Sequence, residues 1–221
     1  KILINCDKKN FKNVENILNA KNKQKIIIQN PITGEKYKHI KLAEKNAKEN
    51  IKLKKASLEN HHQALHKLKK FLNLDELPNR IEVYDNSHTF GNDSVGVMIV
   101  VDQEGLSPKN YRKYNIRYNT TPDDHSRIDD YYMMKEVLNR RIKKINKKED
   151  VIIPDVMIVD GGRGQFNVVE SILKENNLET ISLMSVSKGK KRNSGREIIH
   201  TPDKNINLRA NDPLLFFIQR I

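Results

Sequence analysis

An α/β fold built on one mixed sheet, three antiparallel strands followed by parallel strands with helices, is predicted by three features of the sequence. The first is VIIPDVMIVDGGRGQ, Val151 to Gln165, where Val156, Met157, Ile158 and Val159 run without charge into Asp160, Gly161 and Gly162. An apolar run of that length, followed by glycine and a helical pattern, suits a strand buried on both faces that feeds a tight turn. The second is a strand of similar design, IEVYDNSH, in which Ile81 and Val83 precede Asp85. The third is a pair of β-rich segments after it, joined by turn residues.

The 221 residues suffice for one sizeable core, or for a core plus an accessory unit. Hydrophobic residues make up 37% and charged residues 31%, a polar chain still within the range of folded domains. No apolar stretch approaches the roughly 18 residues of a membrane span, and the start lacks a secretory pattern. No membrane partner and a cytoplasmic location are therefore expected, and the single Cys6 leaves no internal disulfide. The net charge of +13 is uneven: residues 1–80 hold 19 Lys and Arg against 8 Asp and Glu, residues 81–221 hold 22 against 20. A basic flank beside a nearly neutral remainder suits a polyanion, most simply nucleic acid, although lysines also solvate helix faces.

In chain order, residues 1–40 read as a small alternating unit: a strand at Ile2–Ile4, a helix around Val14–Leu18, a strand at Ile26–Ile28, then turn chemistry at Asn30, Pro31 and Gly34. From Leu42 to Leu72 the pattern is helical, with Leu58, Leu65, Leu68 and Leu72 on one apolar face and lysines elsewhere. His61 and His62 read as ordinary surface residues, since no partner has metal spacing nearby. Leu77, Pro78 and Asn79 mark a boundary, which divides a basic accessory segment, 1–76, from the main domain, 77–221.

The main domain opens with the IEVYDNSH strand, then Val95–Val101, a turn at Gly105 and Pro108, and a strand from Tyr111 to Tyr118. The last alternates Tyr114, Ile116 and Tyr118 with Lys113, Asn115 and Arg117, as a half-exposed antiparallel strand should. After Thr120, Thr121 and Pro122 a helix begins near Ile128, with Met134, Val137, Leu138, Ile142 and Ile145 inward and Asp129 and Asp130 in its first turn. Those two acids also suit the positive end of a helix dipole. The Asp160 strand leads to a helix at Gln165–Glu175, a strand at Ile181–Val186, a basic turn with Lys188, Lys190, Lys191 and Arg192, a short strand at Ile198–Ile199, and an apolar helix, PLLFFIQRI.

This element order is that of the ribonuclease H-like fold, in which the first and fourth strands lie side by side and parallel. Asp85 and Asp160 would then share a bound cation at equivalent strand ends, with Asp129 or Asp130 approaching from the intervening helix. Clustered carboxylates repel unless a hard divalent ion neutralises them, and such a site suits phosphodiester hydrolysis. His88, three residues after Asp85, reads as a ligand, a substrate contact or a structural histidine. The GGRGQ turn lacks both the P-loop ending and the dinucleotide-fold spacing, so no small-molecule cofactor is expected. Gly161 and Gly162 read instead as a turn that lets a phosphate approach the backbone.

RIEVYDNSH, Tyr111-Arg112-Lys113 with YNIRY, DDYYMMKEVLNRR, IPDVMIVDGGRGQ and PLLFFIQRI together resemble the C-terminal half of the UvrC family, the incision subunits of the bacterial UvrABC excision-repair system. PITGEKYKHIKLAEKNAKENI resembles the segment before that half. The resemblance implies a ribonuclease H-like endonuclease that uses Mg²⁺ or Mn²⁺ to make the 5′ incision in damaged double-stranded DNA. It places Asp85, Asp130 and Asp160 at the catalytic, metal-holding positions, with Asp129 as the alternative to Asp130. His88, Arg112, Lys113, Gly161, Gly162, Arg163 and Lys188 become candidate substrate contacts. It also implies UvrB as a partner, through a segment not in this chain, and a catalytic His beyond Ile221. The GIY-YIG nuclease and helix-hairpin-helix modules of the family are likewise expected outside this chain, and a fragment without that His is expected to be inactive alone. Two other classes fit the same carboxylates and charge: a non-catalytic nucleic-acid-binding module, and another ribonuclease H-like nuclease such as a resolvase or RNase.

Overall fold

Strands β1 (Ile2–Leu3) and β2 (Ile28–Gln29) pair in parallel around helix α1 (Lys12–Lys21), the small alternating unit expected of the first residues. The Asn19 side chain fastens them, its Nδ2 donating to the Ile26 carbonyl at 2.9 Å and its Oδ1 accepting from the Ile26 amide at 2.6 Å. The structure, a computed structural model, describes residues 1–22, 25–88, 94–116, 130–147, 152–188, 197–209 and 211–221. It contains two compact units, Lys1–Ser57 and Leu58–Ile221. Helix α2 (Gly34–Leu72) runs through the division between them. It ends at Asn73 in the left-handed region, φ 53°, where the Leu74 amide returns to the Lys69 carbonyl.

The second unit is an eight-stranded mixed sheet. In chain order its elements are β3 (Ile81–His88), β4 (Ser94–Asp102), β5 (Gly105–Leu106), β6 (Arg112–Ile116), α3 (Asp130–Asn146), β7 (Val156–Asp160), α4 (Arg163–Glu175), β8 (Ser182–Ser187), β9 (Ile198–His200), β10 (Asn205–Asn207) and α5 (Pro213–Arg220). Strand order is β10-β9-β8-β7-β3-β4-β5, with β6 also on β4. β3, β7 and β8 are mutually parallel neighbours, and β4 is antiparallel to β3, β5 and β6. The adjacency of first and fourth strands is thus as the element order predicts.

The alternation of β3 and β7 divides the core between two faces. Tyr84, Met157 and Val159 pack with α3 and α4 through Met134, Val137, Phe166 and Val169. Ile81, Val83, Val156 and Ile158 pack on the other face with Leu65 and Leu68 of α2 and Leu214 and Phe217 of α5. α5 starts on Pro213, and the Asp212 carboxylate caps it by accepting from the Leu214 amide at 2.9 Å.

Several local expectations change. Strand β5 and a 3-10 turn at Pro108–Asn110 stand where a plain turn was expected, and β10 was not foreseen. Helix α4 begins at Arg163, two residues before Gln165. His61 is buried rather than on the surface: its Nε2 lies 2.8 Å from the Asp102 carbonyl and its ring sits against Phe217. Residues 117–118, 120–122 and 128–129 and the basic turn at 190–192 lie outside the described residues.

Candidate active site

The parallel register of β3 and β7 pairs Ile81 with Val156 and ends at Tyr84 with Val159, so Asp85 and Asp160 are the next residues on adjoining strands. Strand alternation sends both toward the α5 face, with Val83 and Ile158. There they line a cavity of about 520 Å³, together with Lys188, Glu197 and Ile218. Asp160 closes its strand as expected. Asp85 does not: β3 continues to His88, held by β4, with Asp85 opposite Val97 and His88 opposite Ser94. The register sets the two aspartates level, and Asp160 alone ends its strand because β7 is the shorter.

Burial first, and then the neighbouring Asp85 carboxylate, push the Asp160 carboxyl above its ordinary value, while Lys188 pulls the other way. This is the signature of two acids that repel each other in a partly closed cavity, with one ammonium group beside them.

The glycine turn is shaped by sterics rather than by left-handed backbone. The Gly161 amide donates to the Val186 carbonyl at 2.8 Å, extending the β7–β8 ladder by one residue. Gln165 then folds back, its Oε1 accepting from the Gly162 amide at 2.9 Å, and a Cβ on Gly161 would collide with that side-chain amide. A Cβ on Gly164 would strike the hydroxyl and ring of Tyr131. The first turns of α3 and α4 therefore touch, which sets Asp130, exposed at the start of α3, near the end of the sheet where β7 meets α4.

The remaining candidates are spread over this end of the sheet and its edge. Asp130 is not among the residues lining the cavity, and α3 packs on the face opposite the paired aspartates. Among the described residues no three His, Cys, Asp or Glu are grouped to hold an ion. Asp129 lies outside the described residues, as does the side chain of His88. Arg112 and Lys113 are exposed on β6, and Arg112 Nη1 donates to the Tyr111 carbonyl at 2.8 Å. Arg163 is tied inward: Nη1 donates to the Thr201 carbonyl at 2.6 Å and the guanidinium lies 5.0 Å from the Phe166 ring centre.

Sequence reasoning missed the charged cluster beneath the site. Glu82 is fully buried; Arg80 Nε donates to its Oε1 at 2.8 Å, Arg141 Nη2 donates at 2.7 Å, and the Tyr84 hydroxyl donates to its Oε2 at 2.6 Å. The signal was there, since Arg80, Glu82 and Tyr84 alternate and so share one face of β3.

The fold and the paired aspartates define a ribonuclease H-like domain with an acidic site on its central parallel strands. The chain belongs to the UvrC family: the model described as "UvrC RNAse H endonuclease domain" matches residues 69–221, and that described as "UvrC Ribonuclease H-like domain" matches residues 1–54. UvrABC system protein C of Rhodopseudomonas palustris (strain BisB18) is 41% identical over 91% of this chain and 30% of its own length. That of Gluconobacter oxydans (strain 621H) is 37% identical over 100% of this chain and 34% of its own. The chain thus spans about a third of the curated relatives it matches. Among solved structures, human ENDOV shows 13% identity and a TM-score of 0.37 over 60% of this chain and 59% of its own.

Proposed function

We propose that this chain supplies the endonuclease site with which UvrC cuts the strand 5′ to a lesion during nucleotide excision repair, using Mg²⁺ or Mn²⁺. The observation that carries the reading is the juxtaposition of Asp85 and Asp160 over a cavity, with the Asp160 carboxyl raised by burial and by its neighbour. Two hard oxygen donors that repel each other are what a small divalent cation relieves, and Mg²⁺ favours one or two carboxylates completed by water and phosphate oxygens. A bound ion would supply Lewis acidity at the scissile phosphate.

Asp85 and Asp160 hold the ion in this reading, and Asp130 approaches from the α3 end as the third carboxylate. Lys188, beside Asp160, draws the phosphate toward the cavity. His88, Arg112, Lys113 and the Gly161–Gly162 backbone serve as further contacts to damaged double-stranded DNA, with Arg163 acting mainly on their placement. The reading carries with it a cytoplasmic location, a basic accessory role for residues 1–76, and UvrB as a partner engaged elsewhere in the longer protein. Among the described residues no helix is long and apolar enough to cross a membrane.

The test is Asp160→Asn and Asp85→Asn in the full-length protein, assayed on lesion-bearing duplex with Mg²⁺. Loss of the 5′ incision is expected, with the 3′ incision and DNA affinity retained, because the swap keeps side-chain size and removes the charge that holds a cation. Incision at the parent rate would sink the assignment.

A further inference from the structure

Along α2, Lys38, Lys41, Lys45, Lys48, Lys52 and Lys55 recur at alternating intervals of three and four residues. That spacing sets six ammonium groups in one row on a helix. At 1.5 Å per residue the row is about 26 Å long. All six lysines are exposed, and all fall in the unit Lys1–Ser57, which holds 15 Lys against 5 Asp and Glu. Carboxylates meet two of them, Glu44 at 3.0 Å from Lys41 and Glu49 at 3.9 Å from Lys45.

Packing among the described residues does not account for the row. From Lys45 to Ser57 every residue of the helix is exposed, so this stretch presents no face to a core. Helices that stand in solvent without a packed face are marginal, and like charges three and four residues apart weaken them further. Such helices are ordinarily laced by alternating signs, whereas here five lysines face one glutamate between positions 45 and 57. A row of that kind is stabilised when an anionic polymer lies along it.

We propose that this lysine row is a binding site for the nucleic-acid backbone, separate from the aspartate cavity and indifferent to base sequence. Lysine is a flexible point charge without the fork that reads base edges or grips one group bidentately, so the row suits repeated phosphates. A duplex offers one charge about every 1.7 Å of its axis, enough to engage every member. A lipid surface suits the row less, because Leu42 and Leu53 lie roughly opposite Ile51 and form no apolar stripe beside the lysines.

The test is K45Q/K48Q/K52Q/K55Q in the full-length protein, against K12Q/K21Q/K143Q/K144Q, which removes the same charge from exposed positions off the row. Binding to an undamaged duplex is measured over a range of salt in the presence of EDTA, with circular dichroism as the check on folding. The row variant should lower the slope of log affinity against log salt by roughly three to four, since each lost phosphate contact removes about 0.9, and the control should lower it by less than one. Equal losses in the two variants, or an unchanged slope in the row variant, would overturn the proposal. So would an unchanged DNA slope with loss of binding to UvrB or to anionic vesicles. The readout involves neither metal nor incision, so its failure leaves the aspartate reading standing, and Asp160→Asn should keep the parent slope.

Discussion

Glu82 of β3 accepts from Nη2 of Arg141 of α3 at 2.7 Å, with both side chains withdrawn from solvent. Arg141 also reaches the Ile152 carbonyl at 2.8 Å, so one guanidinium ties the helix that starts at Asp130 to the strand that carries Asp85 and to the approach of β7. Removing Arg141 takes one of two buried guanidinium partners from Glu82, which keeps Arg80 and the Tyr84 hydroxyl. Arg141→Met should therefore cost about 1.5–3 kcal/mol in urea unfolding, the loss of a charge-assisted hydrogen bond rather than of the whole pairing. Combining it with Glu82→Leu should cost less than the two single changes added, because the double variant no longer contains the Arg141 guanidinium that Glu82→Leu alone would strand. Strict additivity would show that the pair is not coupled.

A pH dependence follows from Asp160. Its carboxyl is raised in the folded chain by burial and by Asp85, so between its ordinary and its raised value the folded chain holds a proton that the unfolded chain has released. Stability thus falls as pH rises through that window and stays lowered above it. Asp160→Asn removes the effect and should raise the melting temperature at neutral pH, with the difference from the parent vanishing below the ordinary carboxylate range. Asp85→Asn should move the Asp160 titration downward, followed by carboxyl-carbon NMR. An Asp160 titration unmoved by that change would separate the two acids.

Divalent ions should reverse the same repulsion. A cation that binds only the folded chain stabilises it by mass action, about 2.7 kcal/mol at one hundred times its dissociation constant. Mg²⁺ or Mn²⁺ is accordingly expected to raise the melting temperature of the parent and to have little effect on an Asp85→Asn/Asp160→Asn double variant. Equal shifts in the two proteins would place the ion elsewhere.

How far the sequence announced all this depends on the range of the interaction that fixes each part. The run Val156–Val159 announced a central strand because both faces of β7 are covered, and all four residues are buried. Tyr114 and Ile116 announced a half-exposed antiparallel strand by alternation, and both are buried while Arg112, Lys113 and Asn115 are exposed. β5 and β10, two and three residues long, are too short to carry a period and exist only through their neighbours. His61 looked like a surface residue amid lysines because what buries it, Asp102 and Phe217, is distant in the chain. Asp85 illustrates both sides. Its pairing with Asp160 was legible from two strands of like design, but its place inside β3 depends on β4 continuing past it.

The contact between Gly164 and Tyr131 allows the contribution of the α3 end to be separated from that of the paired aspartates. A methyl at Gly164 meets the Tyr131 hydroxyl and ring, so in Gly164→Ala either that exposed ring or the first turn of α3 that carries it must shift. Overpacking of this kind costs about 1–3 kcal/mol. Tyr131→Ala in the same chain should recover much of that stability, since it removes the obstructing ring. The consequence for function differs between the two halves of the site. Asp85 and Asp160 stand on the sheet and should keep their mutual coupling in Gly164→Ala, read as an unchanged Asp160 titration. Asp130 moves with that turn, so if the turn shifts and Asp130 is the third carboxylate, incision should fall by more than the loss of folded protein explains. A Gly164→Ala variant in which the turn has shifted yet cutting proceeds at the parent rate per folded molecule would remove Asp130 from the site and leave the two strand aspartates to hold the ion.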